Sequence, residues 1–323
     1  MYSIFRLFVL AAALVLASGT ALAQTKLKWA HVYETSEPFQ KWSVWAADEI
    51  KKRTNGRYEI TVFPASQLGK ETDINQGLQL GTVDIIISGL SFAARSLPRF
   101  GVGYYPYTFR GPDHLLAWAR SPAFKELADA YRAKTGIQVV AMTYYGTRQT
   151  TSNRDFSDCA GMKGLKIRVP DVPAYMALPK ACGANPTPIA FAEVYLALQN
   201  GTVEAQENPL TTIEAKKFYE VQKNIILTGH IVDAIATQVA PQVWSKLSAA
   251  DKEVFTEVMQ EAAARATNDI KKREAELAEE FKKKGLNVHA VDRKSFQEAI
   301  MKSVSLESMG YSKADWDKIQ AIK

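Results

Sequence analysis

Leu27-Lys-Trp-Ala-His-Val32, Tyr58-Glu-Ile-Thr-Val-Phe63 and Asp84-Ile-Ile-Ile-Ser88 are three short apolar runs, and a helix-period segment lies in each gap between them. The first gap opens with Thr35-Ser36-Glu37-Pro38, a helix start with proline in the first turn. Phe39, Trp42, Trp45, Ala46 and Ile50 then repeat at helical spacing, and Asn55-Gly56 closes the segment. A second helix is expected over 71–80, running into Gly81. The order β-α-β-α-β calls for an α/β fold: a parallel sheet with helices on both faces, whose ligands bind beyond the carboxyl ends of the strands. His31, Tyr33 and Glu34 fall just past the first strand and Glu71 opens the second helix, so all four lie at that edge. A lone histidine or a glutamate in a first helical turn is more often structural, and the residues alone leave both readings open.

From 92 to 109 the chain is rich in aromatics, proline and glycine and reads as irregular and partly buried. Helices near 112–120 and 123–134 follow. A strand over 137–144 leads into Gly146-Thr-Arg-Gln-Thr-Thr-Ser-Asn153, where a second lobe is expected to begin. Lys163-Gly-Leu-Lys-Ile-Arg-Val-Pro170 reads as a strand that Pro170 and Pro173 stop sharply at a cleft. Arg168 stands at that stop, where a guanidinium can take both oxygens of a carboxylate; the alternative is an ordinary surface arginine. Beyond it the pattern gives helices over 173–181 and 191–200, an extended piece over 202–205, a turn at 207–209, a helix over 213–222 and strands over 225–229 and 233–240. Ser248, with Asp251 three residues on, starts a long helix. Its stripe runs from Val254 and Phe255 to Phe281, and Gly285 ends it. Some 36 residues would reach ~54 Å, enough to brace two lobes. The stripe narrows after Ala266, which marks Thr267-Asn268 as a bend point, and the tail from 291 is expected to pack on the second lobe.

Composition narrows the function. Arg6, the apolar run 7–17 and Ala21-Leu22-Ala23 form a secretory leader over residues 1–23, too short to span a bilayer. The mature chain is expected in the periplasm, without membrane insertion; an extracellular address is the alternative. The formal charge of +6 is spread among acids, with Lys282-Lys283-Lys284 as its one run of three lysines, so nucleic acid is a poor partner. Cys159 and Cys182 flank a unit that folds back on itself, so in an oxidising compartment they either form a disulfide, worth ~3 kcal/mol in the chain-entropy account, or are two small buried hydrophobes. No Cys-x-x-Cys, Gly-x-Ser-x-Gly, phosphate loop, dinucleotide fingerprint or His-Glu-x-x-His occurs, and His31, His114, His230 and His289 have no ligand spacing. No metal, no cofactor and no enzymatic activity are expected.

Five ordered segments carry a resemblance: Gly146–Asn153, Met162–Pro170, Gly183-Ala-Asn-Pro-Thr-Pro188, Phe191-Ala-Glu-Val-Tyr-Leu-Ala-Leu-Gln199 and Gln206-Glu-Asn-Pro209. Together they resemble the extracytoplasmic solute-binding proteins of tripartite ATP-independent periplasmic (TRAP) transporters, across essentially the whole mature chain. The resemblance implies a two-lobed periplasmic binding protein fold, with 24–145 plus 233–270 as lobe I and 146–232 plus 271–323 as lobe II. It implies a small organic acid as ligand, a sodium-driven membrane permease as partner and a monomeric protein. By position Arg168 resembles the family's carboxylate-binding arginine, Arg148 its second cation, Asn208 the amide at the same end of the ligand, Phe191 an apolar wall, and Glu71 an acidic position that meets hydroxyls. Sialic-acid-binding members carry glutamate where this chain has Gly89 and asparagine where it has Val32. With Glu71, Glu34 and His31 left to meet hydroxyls, a hexuronate such as glucuronate or galacturonate is the first choice, ahead of a C4-dicarboxylate and of sialic or aldonic acids. A ligand sensor for a receptor kinase is the alternative of a different class.

Overall fold

The computed structural model describes residues 24–323; the leader expected over 1–23 lies outside them. Strands are numbered in chain order: β1 Thr25–Ala30, β2 Tyr58–Phe63, β3 Ile85–Gly89, β4 Gln138–Ser152, β5 Lys166–Val169, β6 Asn185–Pro188, β7 Ala205–Pro209, β8 Asn224–Val239 and β9 Asn287–Ala290. They form one mixed sheet in the order β2-β1-β3-β8-β4-β7-β5-β6, with β9 beside β8. β1 pairs in parallel with β2 and β3, as the alternating first segment requires, and β5 pairs in parallel with β6 and β7. Two parallel units, one per lobe, are thus joined through the antiparallel pair β4 and β8.

The helices form where the apolar period places them. Helix Pro38–Arg53 buries Phe39, Ser43, Ala46, Ala47 and Ile50 and ends on Lys51, Lys52 and Arg53, cations suited to its carboxyl terminus. Helix Glu71–Leu80 stops at Gly81, whose φ of 84° only glycine adopts freely. Ser248 accepts from the amide of Asp251 and starts helix Ala249–Lys283, 35 residues long, which buries Phe255, Val258, Met259, Ala262, Ala266, Ile270, Leu277 and Phe281. It continues unbroken through Thr267 and Asn268.

That helix also serves the edge of β4 that no strand covers between Val140 and Thr147. Gln260 Nε2 donates to the carbonyl of Val140 at 3.2 Å, Thr267 Oγ1 accepts from the amide of Tyr144 at 3.1 Å, and Glu274 Oε1 accepts from the amide of Thr147 at 2.7 Å. Residues seven apart return to one helical face after two turns, so a single stripe answers successive backbone groups of the strand.

Several expectations are corrected. β4 and β8 are each one long strand where the sequence suggests a strand over 137–144 and two separate strands over 225–229 and 233–240. The pair bends without breaking, through register shifts at Val139/Ala141, Tyr144/Gly146 and Arg148/Thr150. Glu207, Asn208 and Pro209 belong to β7 and not to a turn, because β7 lies against Arg148, Gln149 and Thr150 of β4. The span 92–109 is more regular than expected, with a turn of helix at Leu90–Ala93 and a 3-10 helix at Pro98–Tyr104. The last helix, Lys313–Gln320, packs on that 3-10 helix and on helix Pro122–Thr135, pinned by the Arg99–Asp315 ion pair and by the contact of His114 Nε2 with the carbonyl of Ile319. It therefore returns to the first lobe. Cys159 and Cys182 are disulfide-bonded, with their Cα atoms 5.0 Å apart, inside a satellite core of Phe156, Met162, Leu165, Ile167 and Phe296.

Gly146 sits at the bend with a φ of 131°, and a Cβ there would overlap Cβ of Pro209. Gly146→Ala should therefore cost roughly 2–4 kcal/mol, from backbone strain plus overpacking. An unchanged urea midpoint would show that the bend tolerates a side chain.

Candidate functional site

The carboxyl ends of β1, β3 and β5 converge on a small void of about 30 Å³. Lobe I contributes Val32, Tyr33, Glu71 and Gly89; lobe II contributes Arg168, Tyr175, Phe191 and Asn208. Tyr145, Arg148 and Asp233 form the floor, from the stretch where β4 and β8 cross between lobes. A wider recess of about 410 Å³ shares Glu71, Arg168 and Phe191 and opens outward past Lys70, Asp171 and Glu193.

Arg168 lies next to the end of β5, buried, in register with Thr187 and Gln206 on the neighbouring strands. Its Nε and Nη2 both donate to the carbonyl of Ile189, at 2.9 and 2.8 Å, which fixes the plane of the guanidinium. Nη1 is buried and has no partner among the described residues. Burial draws this arginine down to about 10, so it still carries its full charge at neutral pH. A fixed cation with an unused donor on the wall of a void can take one further acceptor, and a carboxylate oxygen matches it in charge and geometry.

Arg148 has no such freedom. Nε and Nη2 reach the carboxylate of Glu207, Nη1 donates to Asp233 Oδ2 at 2.8 Å, and Nη2 also donates to the carbonyl of Glu207 at 2.7 Å and to Asn208 Oδ1 at 3.1 Å. Its face lies over the Tyr175 ring, 4.7 Å from the centroid. Burial alone would lower this arginine, but Glu207 and Asp233 raise it well above its ordinary value. Burial pushes Glu207 up, and Arg148 with the His230 ring outweighs that and holds it below the usual range. The Arg148 charge is thus answered within the protein, and Asn208 is held by Arg148 and by its own amide donating to Gln206.

Glu71 and Asp233 face the cations. Glu71 Oε1 accepts from Ser88 Oγ at 2.8 Å and from the amide of Gly89 at 3.0 Å, and burial raises its carboxyl. Asp233 is raised by burial as well, and its Oδ1 has no partner among the described residues. Of the seven residues read from the sequence, Arg168, Arg148, Asn208, Glu71 and Phe191 meet at the void. His31 and Glu34 do not. His31 is buried against Gln40 at 2.9 Å and drawn down by burial to about 4, and Glu34 pairs with Lys216 Nζ at 2.7 Å. Tyr145, Tyr175 and Asp233 were missed; an aspartate inside the apolar run Ile231-Val232-Asp233-Ala234-Ile235 was the one signal for the last.

Contacts across the cleft hold the lobes closed. Arg95 Nη2 meets Asp171 Oδ2 at 2.8 Å at the mouth, Ser91 Oγ donates to the Tyr175 hydroxyl at 3.1 Å, and Thr212 Oγ1 donates to Glu37 Oε1 at 3.0 Å beside the Glu34–Lys216 pair. Burial raises Glu37 to about 7, with Glu34 adding to the shift and Lys216 opposing it. The folded state therefore binds this proton more tightly than the unfolded chain does. The contribution to stability is complete below about pH 4.5 and is lost as the pH rises through 7. Glu37→Gln should be more stable than the native chain at pH 8 by roughly 1–3 kcal/mol, with little or no gain at pH 4.5; the same difference at both pH values in urea unfolding would refute the assignment.

Comparison with known proteins places these features in context. The model of bacterial extracellular solute-binding protein family 7 matches residues 29–308. The sialic acid-binding periplasmic protein SiaP of Vibrio cholerae serotype O1 is 37% identical over 254 residues, 79% of each chain. A TRAP periplasmic solute-binding protein of Roseobacter denitrificans OCh 114 with bound L-galactonate superposes with a TM-score of 0.86 at 31% identity, covering 93% of this chain and 98% of the other. Another from Roseobacter denitrificans, with bound β-D-glucuronate, gives 0.87 at 25% identity, covering 92% and 100%.

Proposed function

Since the chain belongs to family 7 of the bacterial extracellular solute-binding proteins, we propose that it captures a polyhydroxylated sugar monoacid, first of all a hexuronate, and, working as a monomer, hands it to a sodium-driven TRAP permease. Its family is extracytoplasmic and binds solutes without converting them. Among the described residues no helix is long and apolar enough to cross a membrane.

The observation that carries the reading is Arg168: a buried, oriented guanidinium whose Nη1 has no partner among the described residues, on the wall of a void lined by two carboxylates. A ligand carboxylate at Nη1 completes the cation, Asn208 takes the same end, Phe191 and Tyr33 cover the carbon skeleton, and Glu71 and Asp233 accept its hydroxyl hydrogens. An aldonate is the second reading, favoured by the neighbour that holds L-galactonate. Sialic acid is disfavoured despite the Vibrio relative: Val32 and Gly89 both line the void and offer no polar side chain. The receptor-kinase alternative finds no support among the relatives, which are transport proteins.

Mechanistically, β4 and β8 are the covalent links that bend, and the ligand supplies the bias. In the open form Arg168 and Glu71 would face water on separate lobes; in the closed form they share one acid, and the difference in affinity drives closure. The closed outline is then what a permease can distinguish from the empty protein.

A thermal-shift screen tests the proposal, with D-glucuronate, D-galacturonate, L-galactonate, sialic acid and succinate as probes. Ligand at about 100 times its dissociation constant should add ~2.7 kcal/mol of stability, and silence with every sugar acid would sink the reading. Arg168→Ala should retain the native circular dichroism spectrum and lose at least roughly a hundredfold in affinity, as expected when a buried charge loses its partner. Undiminished affinity in calorimetry would place the clamp elsewhere.

A further inference from the structure

The void contains two cations, but they are not equivalent. Arg148 arrives already neutralised: Glu207 takes Nε and Nη2, and Asp233 takes Nη1. Arg168 has only a backbone carbonyl, and its Nη1 is left over. The site can therefore answer one carboxylate and no more. The acids are unequal as well. Glu71 has Oε1 engaged twice by the backbone and side chain of its own lobe. Asp233 has Oδ2 engaged by Arg148, with the Tyr175 hydroxyl 3.4 Å away; Oδ1 is buried and makes no hydrogen bond among the described residues, because the neighbouring Tyr104 hydroxyl donates to the carbonyl of Ala234.

We propose that Asp233 is the specificity-determining residue of the site: Oδ1 accepts a ligand hydroxyl hydrogen, and the carboxylate charge excludes any ligand that brings a second carboxylate. This deepens the sugar-monoacid reading and rests on it. Three features support the assignment. Asp233 lies on β8 in register with Gly146 of β4, so its backbone belongs to the middle of the sheet and holds its place more firmly than a loop would. It is only 1% exposed, so its charge acts on the void with little screening by water. Its role is also not used up by Arg148, because Glu207 already engages two nitrogens of that guanidinium. A hydroxyl satisfies Oδ1 at no cost in charge. A second carboxylate within the void would face Asp233 and Glu71 together, and of the two cations that line it among the described residues Arg148 is already paired and Arg168 is taken by the first carboxylate; like charges confined in a dry site disfavour each other strongly.

The test uses two matched probe pairs: L-galactonate with galactarate, and D-glucuronate with D-glucarate. In each pair the second compound is a dicarboxylate counterpart of the first. Calorimetry on the native protein should show at least a hundredfold preference for the monoacid of whichever pair it binds. Equal affinity for monoacid and diacid overturns the proposal without any variant. In Asp233→Asn, which keeps the shape and removes the charge, monoacid affinity should fall about tenfold and the monoacid-to-diacid ratio should narrow tenfold or more. If Asp233 served only to hold Arg148, both ligands would weaken in parallel, and an unchanged ratio overturns the proposal. Failure of the native protein to bind either monoacid would instead refute the sugar-acid reading, and the inference would fall with it.

Discussion

A guanidinium that is 1% exposed must be neutralised where it stands, and the centre of this molecule is arranged around that requirement. Arg148 on β4 reaches Glu207 on β7 and Asp233 on β8, one acid from each neighbouring strand. Three adjacent strands are thereby tied side chain to side chain as well as by their backbone ladders. Removing one partner from such a cluster leaves the other buried and unpaired, typically at about 3–5 kcal/mol, so the group stands or falls together. The tie sits where the two long strands pass from one lobe to the other, which fixes the floor of the cleft while leaving its walls to move.

The floor and the walls then divide the chemistry. Arg148, Asn208 and Asp233 are held by one another and present a preformed polar surface whose polar groups, apart from Asp233 Oδ1, are largely paired internally. Arg168 and Glu71 come from opposite lobes, each oriented by its own carbonyl, amide or hydroxyl. Their geometry relative to each other exists only when the lobes meet. Affinity for an acid is thus coupled to closure through residues that are individually rigid, and little entropy is lost in orienting the side chains themselves.

The alternating first lobe was readable because its helices and strands announce themselves by period and by their stops at Asn55-Gly56 and Gly81. Arg168 was readable because a cation between an apolar run and two prolines has few places to go. The crossing strands were not. Gly146–Asn153 is polar in sequence because its hydroxyls and amides are buried against each other, Thr151 with Gln206 and Gln222 and Thr150 with Thr228, and buried polar pairing looks like loop composition until the partners are seen. His31 and Glu34 failed for a different reason. They follow a strand end that does border the void, but chain proximity does not set side-chain direction, and nearer partners, Gln40 and Lys216, claimed both. Asp233 stood in the open as an acid among isoleucines and alanines; only its distance in sequence from Arg148 hid what it was for.

The stripe Gln260, Thr267 and Glu274 has a consequence outside ligand binding. A strand edge with unanswered amides and carbonyls is a template on which another polypeptide can add itself. Here the edge of β4 is met by side chains of a helix, which cannot extend a sheet. The three bonds are spaced along one unbroken helix, so the edge is answered over its whole length from Val140 to Thr147. The most extended strand pair of the molecule thus keeps covered the surface from which intermolecular β-aggregation would start.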